Sequence, residues 1–320
     1  METTDYDPGP WRGHDFASAR KAYDRHAGRS YGEAIAAGKK ASDLVPNKIK
    51  TNSESPLVIA CDVTGSMGEW PATIFSKLPY LEIEGKEYLG ETMEISFAAI
   101  GDCVKGDKYP LQVRPFVQGT DLKKELEALV VEGGGGGGGE ESYDLAAAYY
   151  AENVEMPNAI RKPIFIFIGD EGLYDCLEAC NASLYAKVYH KNERSVEDII
   201  EDLKKTYSVY IIRKSYGGLD HVVRARWTDL LGEDHVCPLD QAERVVDVIF
   251  GILAKETGRI DYFKKEIEDR QRKDQVAVVM KSLKTVHAGA AKESMKKLEM
   301  HSVTRRKRGE DDGKATKSLI

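Results

Sequence analysis

The run Ile164–Ile168 constrains the fold more than any other stretch of the chain. It consists of five large apolar residues, alternately isoleucine and phenylalanine, between Pro163 and Gly169. A strand that is apolar at every position must be covered on both faces, which is the usual state of a central strand in a parallel sheet. The run Leu57–Cys61 has the same character. Two such strands predict a sheet with helices on both of its faces.

Segments with strand and helix patterns alternate from residue 55 to residue 257. This alternation predicts an α/β fold with a doubly wound, mainly parallel sheet. We expect Met93–Ile100 and Leu111–Val117 to form a hairpin that supplies one antiparallel edge strand. The sequence thus predicts three regions: a partly helical N-terminal extension (1–54), the α/β domain (55–257) and a basic helical C-terminal extension with a frayed end (258–320).

Charge is distributed unevenly along the chain. The net charge is -7, but residues 258–320 contain 17 Lys and Arg against 10 Asp and Glu, so they carry +7 and the remainder carries -14. The cluster Arg305–Arg308 has no interleaved aromatic residues and is followed by acidic ones, which makes a solvated terminus a better interpretation than a nucleic-acid site. No apolar run approaches the roughly 18 to 20 residues that span a membrane. We therefore expect a cytoplasmic protein without a membrane segment.

Polar side chains follow both apolar runs. Asp62, Thr64 and Ser66 come after the first run, and Asp170 comes after the second. Ligands of open α/β sheets bind outside the carboxyl ends of the strands. Carboxylate and hydroxyl oxygens suit Mg2+, which takes roughly six oxygen ligands. Asp62 or Thr64 could instead cap the next helix, but the second acidic strand end favours a Mg2+ site, provided that the two strands are neighbours.

A run of seven glycines, Gly133–Gly139, precedes Glu140, Glu141 and Ser142. It follows a segment with helical composition and lacks the Gly-Lys-Ser of a phosphate-binding loop, so nucleotide binding is not favoured. Two interpretations remain open. The run is either a plain linker or a loop that bends over the proposed cation site and lends it an oxygen.

Together these motifs resemble the metal-ion-dependent adhesion site of von Willebrand factor type A (vWA) domains. The resemblance covers roughly residues 55–257, and Asp62 to Ser66 is similar to the Asp-x-Ser-x-Ser motif of that family. It implies that Asp62, Thr64, Ser66 and Asp170 are metal ligands. The family usually has a threonine after two glycines as its middle ligand, whereas this chain offers Glu140, Glu141 and Ser142 there. The resemblance therefore implies that one of these residues, Glu141 or Ser142 above all, or a water molecule takes that position.

The resemblance also implies a function. A vWA domain is a protein-binding module whose Mg2+ or Mn2+ keeps an open coordination position for an Asp or Glu of the partner. Intracellular prokaryotic members often act beside AAA+ ATPases or within larger assemblies. The resemblance thus implies a protein partner of that kind, a Mg2+ or Mn2+ cofactor and no catalytic residue.

A second resemblance leads to an enzyme. Asp62 to Ser66 is also similar to the phosphorylation motif of haloacid-dehalogenase-like proteins, and the segment from Gly169 to Asp175 fits their magnesium motif. This resemblance implies a phosphohydrolase in which Asp62 is the nucleophile, Asp170 and Asp175 hold Mg2+, and Lys162 is the lysine of the superfamily. Phosphatases of this kind usually carry a general acid two residues after the nucleophile, and Thr64 cannot serve as one.

Overall fold

A six-stranded sheet forms the centre of the fold. The computed structural model describes residues 38, 40–130 and 139–288. The sheet strands, in chain order, are β1 (Leu57–Asp62), β2 (Ile95–Ile100), β3 (Leu111–Val113), β4 (Ile164–Gly169), β5 (Ser208–Arg213) and β6 (Val236–Pro238). Their spatial order is β6-β5-β4-β1-β2-β3. All neighbouring strands are parallel except β2 and β3. The predicted mainly parallel sheet with one antiparallel edge strand is confirmed.

Ten α-helices lie entirely within the described part of the chain. They are α1 (Trp70–Ser76), α2 (Leu78–Leu89), α3 (Asp121–Glu127), α4 (Tyr143–Glu152), α5 (Ala179–Tyr185), α6 (Val196–Thr206), α7 (Asp220–Leu231), α8 (Val245–Thr257), α9 (Ile260–Arg270) and α10 (Lys273–Ser282). Within the described residues, three pairs of two-residue strands lie outside the central sheet: Ile49–Lys50 with Val154–Glu155, Cys176–Leu177 with Arg194–Ser195, and Glu140–Glu141 with Gly172–Leu173. None of the helices in these residues combines the length and the hydropathy that crossing a bilayer requires.

Helices cover both faces of the sheet, as the apolar runs predict. Alternate residues of β1 point into two different cores: Leu57 and Ile59 into one, Val58 and Ala60 into the other. All four side chains are fully buried. Helices α1, α2, α3, α8, α9 and α10 contribute to the first core, and α4 to α7 contribute to the second. The sheet is therefore doubly wound.

The extensions are described only in part. The predicted N-terminal helix and the glycine run lie outside the described residues, except for the last residues before Leu44 and for Gly139. The predicted C-terminal helical pattern is present as α9 and α10, and Leu283 just beyond α10 is fully buried against α8. A Cβ atom added at Gly251 of α8 would lie 2.0 Å from a methyl carbon of Leu283. These C-terminal helices therefore belong to the first core rather than forming a detached segment.

Two helices were not predicted from the sequence. The sequence pattern predicts one helix near 71–78, whereas the structure has α1 and, directly after Lys77, the longer α2. Pro79 stands in the first turn of α2, where proline costs no hydrogen bond because the first N–H groups of a helix have no intrahelical partner. The short helix α5 was missed as well.

Candidate metal centre

The two acidic strand ends lie side by side in the sheet. β1 pairs with β4 in parallel, and Cys61 is opposite Ile168. Asp62, the last residue of β1, and Asp170, the first residue after β4, therefore leave the sheet at the same edge. β1 has β4 on one side and β2 on the other, so this edge is a point where the direction of winding reverses. The condition that the sequence left open, adjacency of the two strands, is met.

Close polar contacts through Thr64 and Ser66 link the two aspartates. Thr64 donates its backbone N–H at 2.8 Å and its hydroxyl at 2.7 Å to Oδ1 of Asp62. The hydroxyl oxygens of Thr64 and Ser66 are 3.2 Å apart. Ser66 donates to Oδ1 of Asp170 at 2.9 Å. The structure thus brings together four oxygen-bearing side chains that the sequence marked as metal ligands.

Two glutamates complete an acidic cluster beside these contacts. One carboxylate oxygen each of Asp62, Glu141 and Glu171 lies within 4.8 Å of the other two. Glu141 reaches the cluster because Glu140–Glu141 pairs in parallel with Gly172–Leu173, directly after Glu171. Glu171 was missed by the sequence analysis. Its position next to Asp170 at a strand end was the available signal.

The glutamates are buried, and three of their four carboxylate oxygens have no donor within the described part of the chain. Glu141 is 0% exposed and Glu171 is 2% exposed. Among the described residues, no N–H or O–H group donates to either carboxylate oxygen of Glu141 or to Oε2 of Glu171. A buried polar atom without a partner costs about 1–3 kcal/mol. Such oxygens are well placed to bind a cation.

Burial and mutual repulsion disfavour the charged forms of these groups. Burial raises the pKa of Asp62 from 3.8 to about 7; the hydrogen bonds from Thr64 oppose this, while the neighbouring carboxylates of Asp170 and Glu171 add to it. The pKa of Glu141 is raised well above its usual value, first by burial and then by Glu171 and Asp62. A divalent cation at this point would lower the pKa of both groups again, because it stabilises the ionised carboxylates.

Tyr143, which lies in the second core, holds Asp62 in place. Its hydroxyl donates to Oδ2 of Asp62 at 3.1 Å, and its ring packs edge-on against Phe167 and Trp227. A Cβ atom added at Gly169 would lie only 1.7 Å from the Tyr143 hydroxyl oxygen. Position 169 therefore has to be glycine for this hydroxyl to reach the aspartate.

Two basic residues from the end of β5 approach Asp170. Nζ of Lys214 is 3.3 Å from Oδ2 of Asp170 and also donates to the carbonyl of Ser66. The guanidinium of Arg213, which is 2% exposed, donates to the carbonyl of Asp170 at 3.3 Å and to the carboxylate of Asp220 at 2.8 Å. The charge of Arg213 is thus neutralised by Asp220. Of these two basic residues, Lys214 is the one whose charge is paired with Asp170.

The candidates for the middle ligand differ in orientation. Only Glu141 joins the cluster around Asp62. The hydroxyl of Ser142 instead contacts Cys103, accepting from its backbone N–H at 3.0 Å and donating to its Sγ at 3.2 Å. The structure therefore places Glu141, and not the hydroxyl of Ser142, beside Asp62.

The residues that the phosphohydrolase interpretation adds do not meet at this site. The side chain of Asp175 is 91% exposed and pairs with Arg226 at 3.1 Å. Lys162 precedes β4 and lines a different cavity of about 340 Å³ with Lys204 and His235. A strand of six residues is about 20 Å long, so Lys162 lies at the opposite edge of the sheet from Asp170.

Comparison with known proteins gives a distant likeness in fold. No protein-family model matches the sequence, and no curated protein matches it. The pilus adhesin SpaC from Lactobacillus rhamnosus GG is 12% identical, with a TM-score of 0.47 over 69% of this chain and 32% of the adhesin. Proximal thread matrix protein 1 from the mussel byssus is also 12% identical, with a TM-score of 0.44 over 66% of this chain and 48% of the mussel protein. The matched part is thus about a third of the adhesin and about half of the mussel protein.

Proposed function

We propose that this chain is a metal-dependent protein-binding module of the vWA type. Asp62, Thr64, Ser66 and Asp170 hold Mg2+ or Mn2+, with Glu141 at the middle ligand position. The observation that carries this proposal is the set of close polar contacts from Asp62 through Thr64 and Ser66 to Asp170, built on neighbouring strand ends. The bound cation supplies an open coordination position for the carboxylate of a partner protein.

The residues present fit such a cation. All the proposed ligand atoms are hard oxygens, which Mg2+ and Mn2+ prefer to nitrogen or sulfur. The oxygens of Glu141 have no donor among the described residues, so a cation would satisfy atoms that are otherwise buried at a cost. Tyr143 holds the Asp62 carboxylate in place. Ser66 is exposed whereas Asp62 is buried. A partner can therefore reach the proposed cation from the side of Ser66.

The phosphohydrolase alternative has less support from the geometry. It needs Asp175 beside Asp170 and a lysine near the nucleophile. Asp175 extends into solvent toward Arg226, and Lys162 belongs to the other edge of the sheet. Thr64 uses its hydroxyl to donate to Asp62 and is not a general acid. These positions favour binding over catalysis.

The partner is proposed to be a protein that presents an Asp or Glu, such as an AAA+ ATPase or another assembly subunit. This part of the proposal rests on the vWA resemblance of residues 55–257. We also propose that the interaction takes place in the cytoplasm. All five cysteines are free thiols, two of them exposed at Cys176 and Cys180, which suits a reducing compartment.

Calorimetric titration with Mg2+ and Mn2+ tests the proposed site. We expect Asp62→Ala and Asp170→Ala to keep the fold and lose cation binding. Asp175→Asn is the matched control, because Asp175 lies five residues after Asp170 but faces solvent; it should bind the cations like the unmodified protein. Unchanged affinity in both alanine variants would refute the site, and loss of affinity in Asp175→Asn would support the enzyme instead.

A pull-down in Mg2+ and again with a chelator tests the proposed binding activity. We expect partner proteins that are retained in Mg2+ without ATP and released by the chelator or by Asp62→Ala. Protection of Asp62 by beryllium fluoride, a mimic of an aspartyl phosphate, would favour the phosphohydrolase. Retention that is indifferent to the chelator would contradict the proposal.

A further inference from the structure

The two oxygens of the Asp62 carboxylate face different surroundings. Oδ1 accepts both hydrogen bonds from Thr64, on the side that leads to Ser66 and Asp170. Oδ2 accepts one hydrogen bond, from Tyr143. A carboxylate oxygen has two lone pairs, so Oδ2 keeps one available. The free lone pair of Oδ2 can bind one cation, and Oδ1 can bind another when the Thr64 hydroxyl turns away from it.

The triad of Asp62, Glu141 and Glu171 has the dimensions of a cation site. Three oxygens spaced evenly around Mg2+ at roughly 2.1 Å lie about 3.6 Å apart. One oxygen of each triad residue lies within 4.8 Å of the others, so each oxygen has to move inward by about 0.7 Å at most. Independently of this spacing, both oxygens of Glu141 and Oε2 of Glu171 are buried and have no donor among the described residues.

The charge of the centre points the same way. Four carboxylates that are at most 2% exposed belong to the centre: those of Asp62, Glu141 and Glu171 lie close together, and that of Asp170 accepts a hydrogen bond from Ser66. The buried carboxylate of Asp102 adds to the negative potential at Glu141, whereas Lys214 contributes one positive charge at Asp170. When these carboxylates are ionised, their negative charge exceeds what one divalent cation neutralises, and a second cation offsets more of it.

We infer that the centre holds two divalent cations that share the carboxylate of Asp62. One is held with Thr64, Ser66 and Asp170, and the other with Glu141 and Glu171. In this arrangement Glu141 is a ligand of the second cation rather than the middle ligand of the first. The inference rests on the proposed function and deepens it, because the second cation offsets more of the negative charge that an acidic residue of the partner would meet.

Titration with Mn2+ followed by electron paramagnetic resonance tests the pair. Two Mn2+ ions that share a carboxylate lie roughly 3.5–4 Å apart, and at that distance they couple magnetically. We expect two Mn2+ per folded chain and a spectrum of coupled ions at saturation. Glu171→Gln should bind one Mn2+ and give the spectrum of an isolated ion, whereas Asp175→Asn should retain the coupled pair.

A stoichiometry of one Mn2+ in the unmodified protein, unchanged in Glu171→Gln, would overturn the inference and indicate that the two glutamates share a proton instead. That result would leave the proposed function standing, since one bound cation still fulfils it. Two Mn2+ ions without magnetic coupling would also overturn it, because they would lie in separate sites. Absence of any Mn2+ binding would refute the proposed function itself. Circular dichroism of each variant confirms that the bound fraction refers to folded protein.

Discussion

Substitution of Gly169 by alanine tests whether Tyr143 holds Asp62 in place at the candidate metal centre. The added methyl group would lie 1.7 Å from the hydroxyl oxygen of Tyr143 and 2.7 Å from the ring carbon Cζ. The ring cannot simply retreat, because Tyr143 is fully buried and its centroid is 5.2 Å from that of Trp227 and 5.8 Å from that of Phe167. We therefore expect the tyrosine to be displaced and Asp62 to lose its hydrogen bond.

The expected cost follows from two contributions. Overpacking of a close-packed core costs about 1–3 kcal/mol, and the lost hydrogen bond to Asp62 costs about 1 kcal/mol. Gly169→Ala should thus lower the free energy of unfolding by about 2–4 kcal/mol. For a domain of roughly 200 residues this lowers Tm by on the order of 10 °C.

Thermal unfolding in a chelator measures this loss without a contribution from bound cations. The control is Gly218→Ala, because a Cβ atom there meets no heavy atom within 4 Å and Gly218 does not have a left-handed φ. Its Tm should stay close to that of the unmodified protein. The double variant Gly169→Ala/Tyr143→Phe should recover part of the loss, but not all, because Cζ remains 2.7 Å from the methyl group. An unchanged Tm for Gly169→Ala, or no recovery in the double variant, would refute the reasoning.

Three further predictions concern other parts of the same domain. Gly251→Ala should lower the free energy of unfolding by about 1–3 kcal/mol, because its methyl group would meet Leu283 at 2.0 Å. Chemical denaturation measures this loss. The same substitution should cost less when it is made in the Leu283→Ala variant, where the clashing methyl groups are absent. Glu141→Gln should stabilise the protein in a chelator by about 1–3 kcal/mol at pH 7.5, since the amide carries no charge. Because the pKa of Glu141 in the folded state is raised from 4.5, the stability difference between the variant and the unmodified protein should grow as the pH rises above 4.5. A variant less stable than the unmodified protein would contradict this. His287 should lower stability as the pH falls below 6.5, because burial lowers its pKa in the folded state. Its Nε2 donates to the carbonyl of Gly251 at 3.1 Å, and the buried Nδ1 has no partner among the described residues that could accept a second proton. His287→Gln should flatten this part of the pH profile of stability, and an unchanged profile would exclude His287 as the cause.

The sequence by itself determined the central strands and the acidic positions at their ends. Five consecutive apolar residues at 164–168 can only be a strand or helix covered on all sides, and the flanking Pro163 and Gly169 limit it to the length of a strand. Because parallel strands end on the same side of a sheet, the sequence also assigned Asp62 and Asp170 to one side, whereas the adjacency of their strands was left to the tertiary structure. These are local properties of short segments, and local patterns are what a sequence displays directly.

Only the tertiary structure decided which further side chains join those aspartates. Glu171 and Tyr143 enter the centre through the pairing of Glu141 with Leu173 and through the packing of α4 on the sheet. The same packing directs the hydroxyl of Ser142 to Cys103. These contacts join residues about 30 to 80 positions apart, and no periodicity within one segment encodes them. They depend on strand order and on the close fit of buried rings, which exist only once the whole chain has folded.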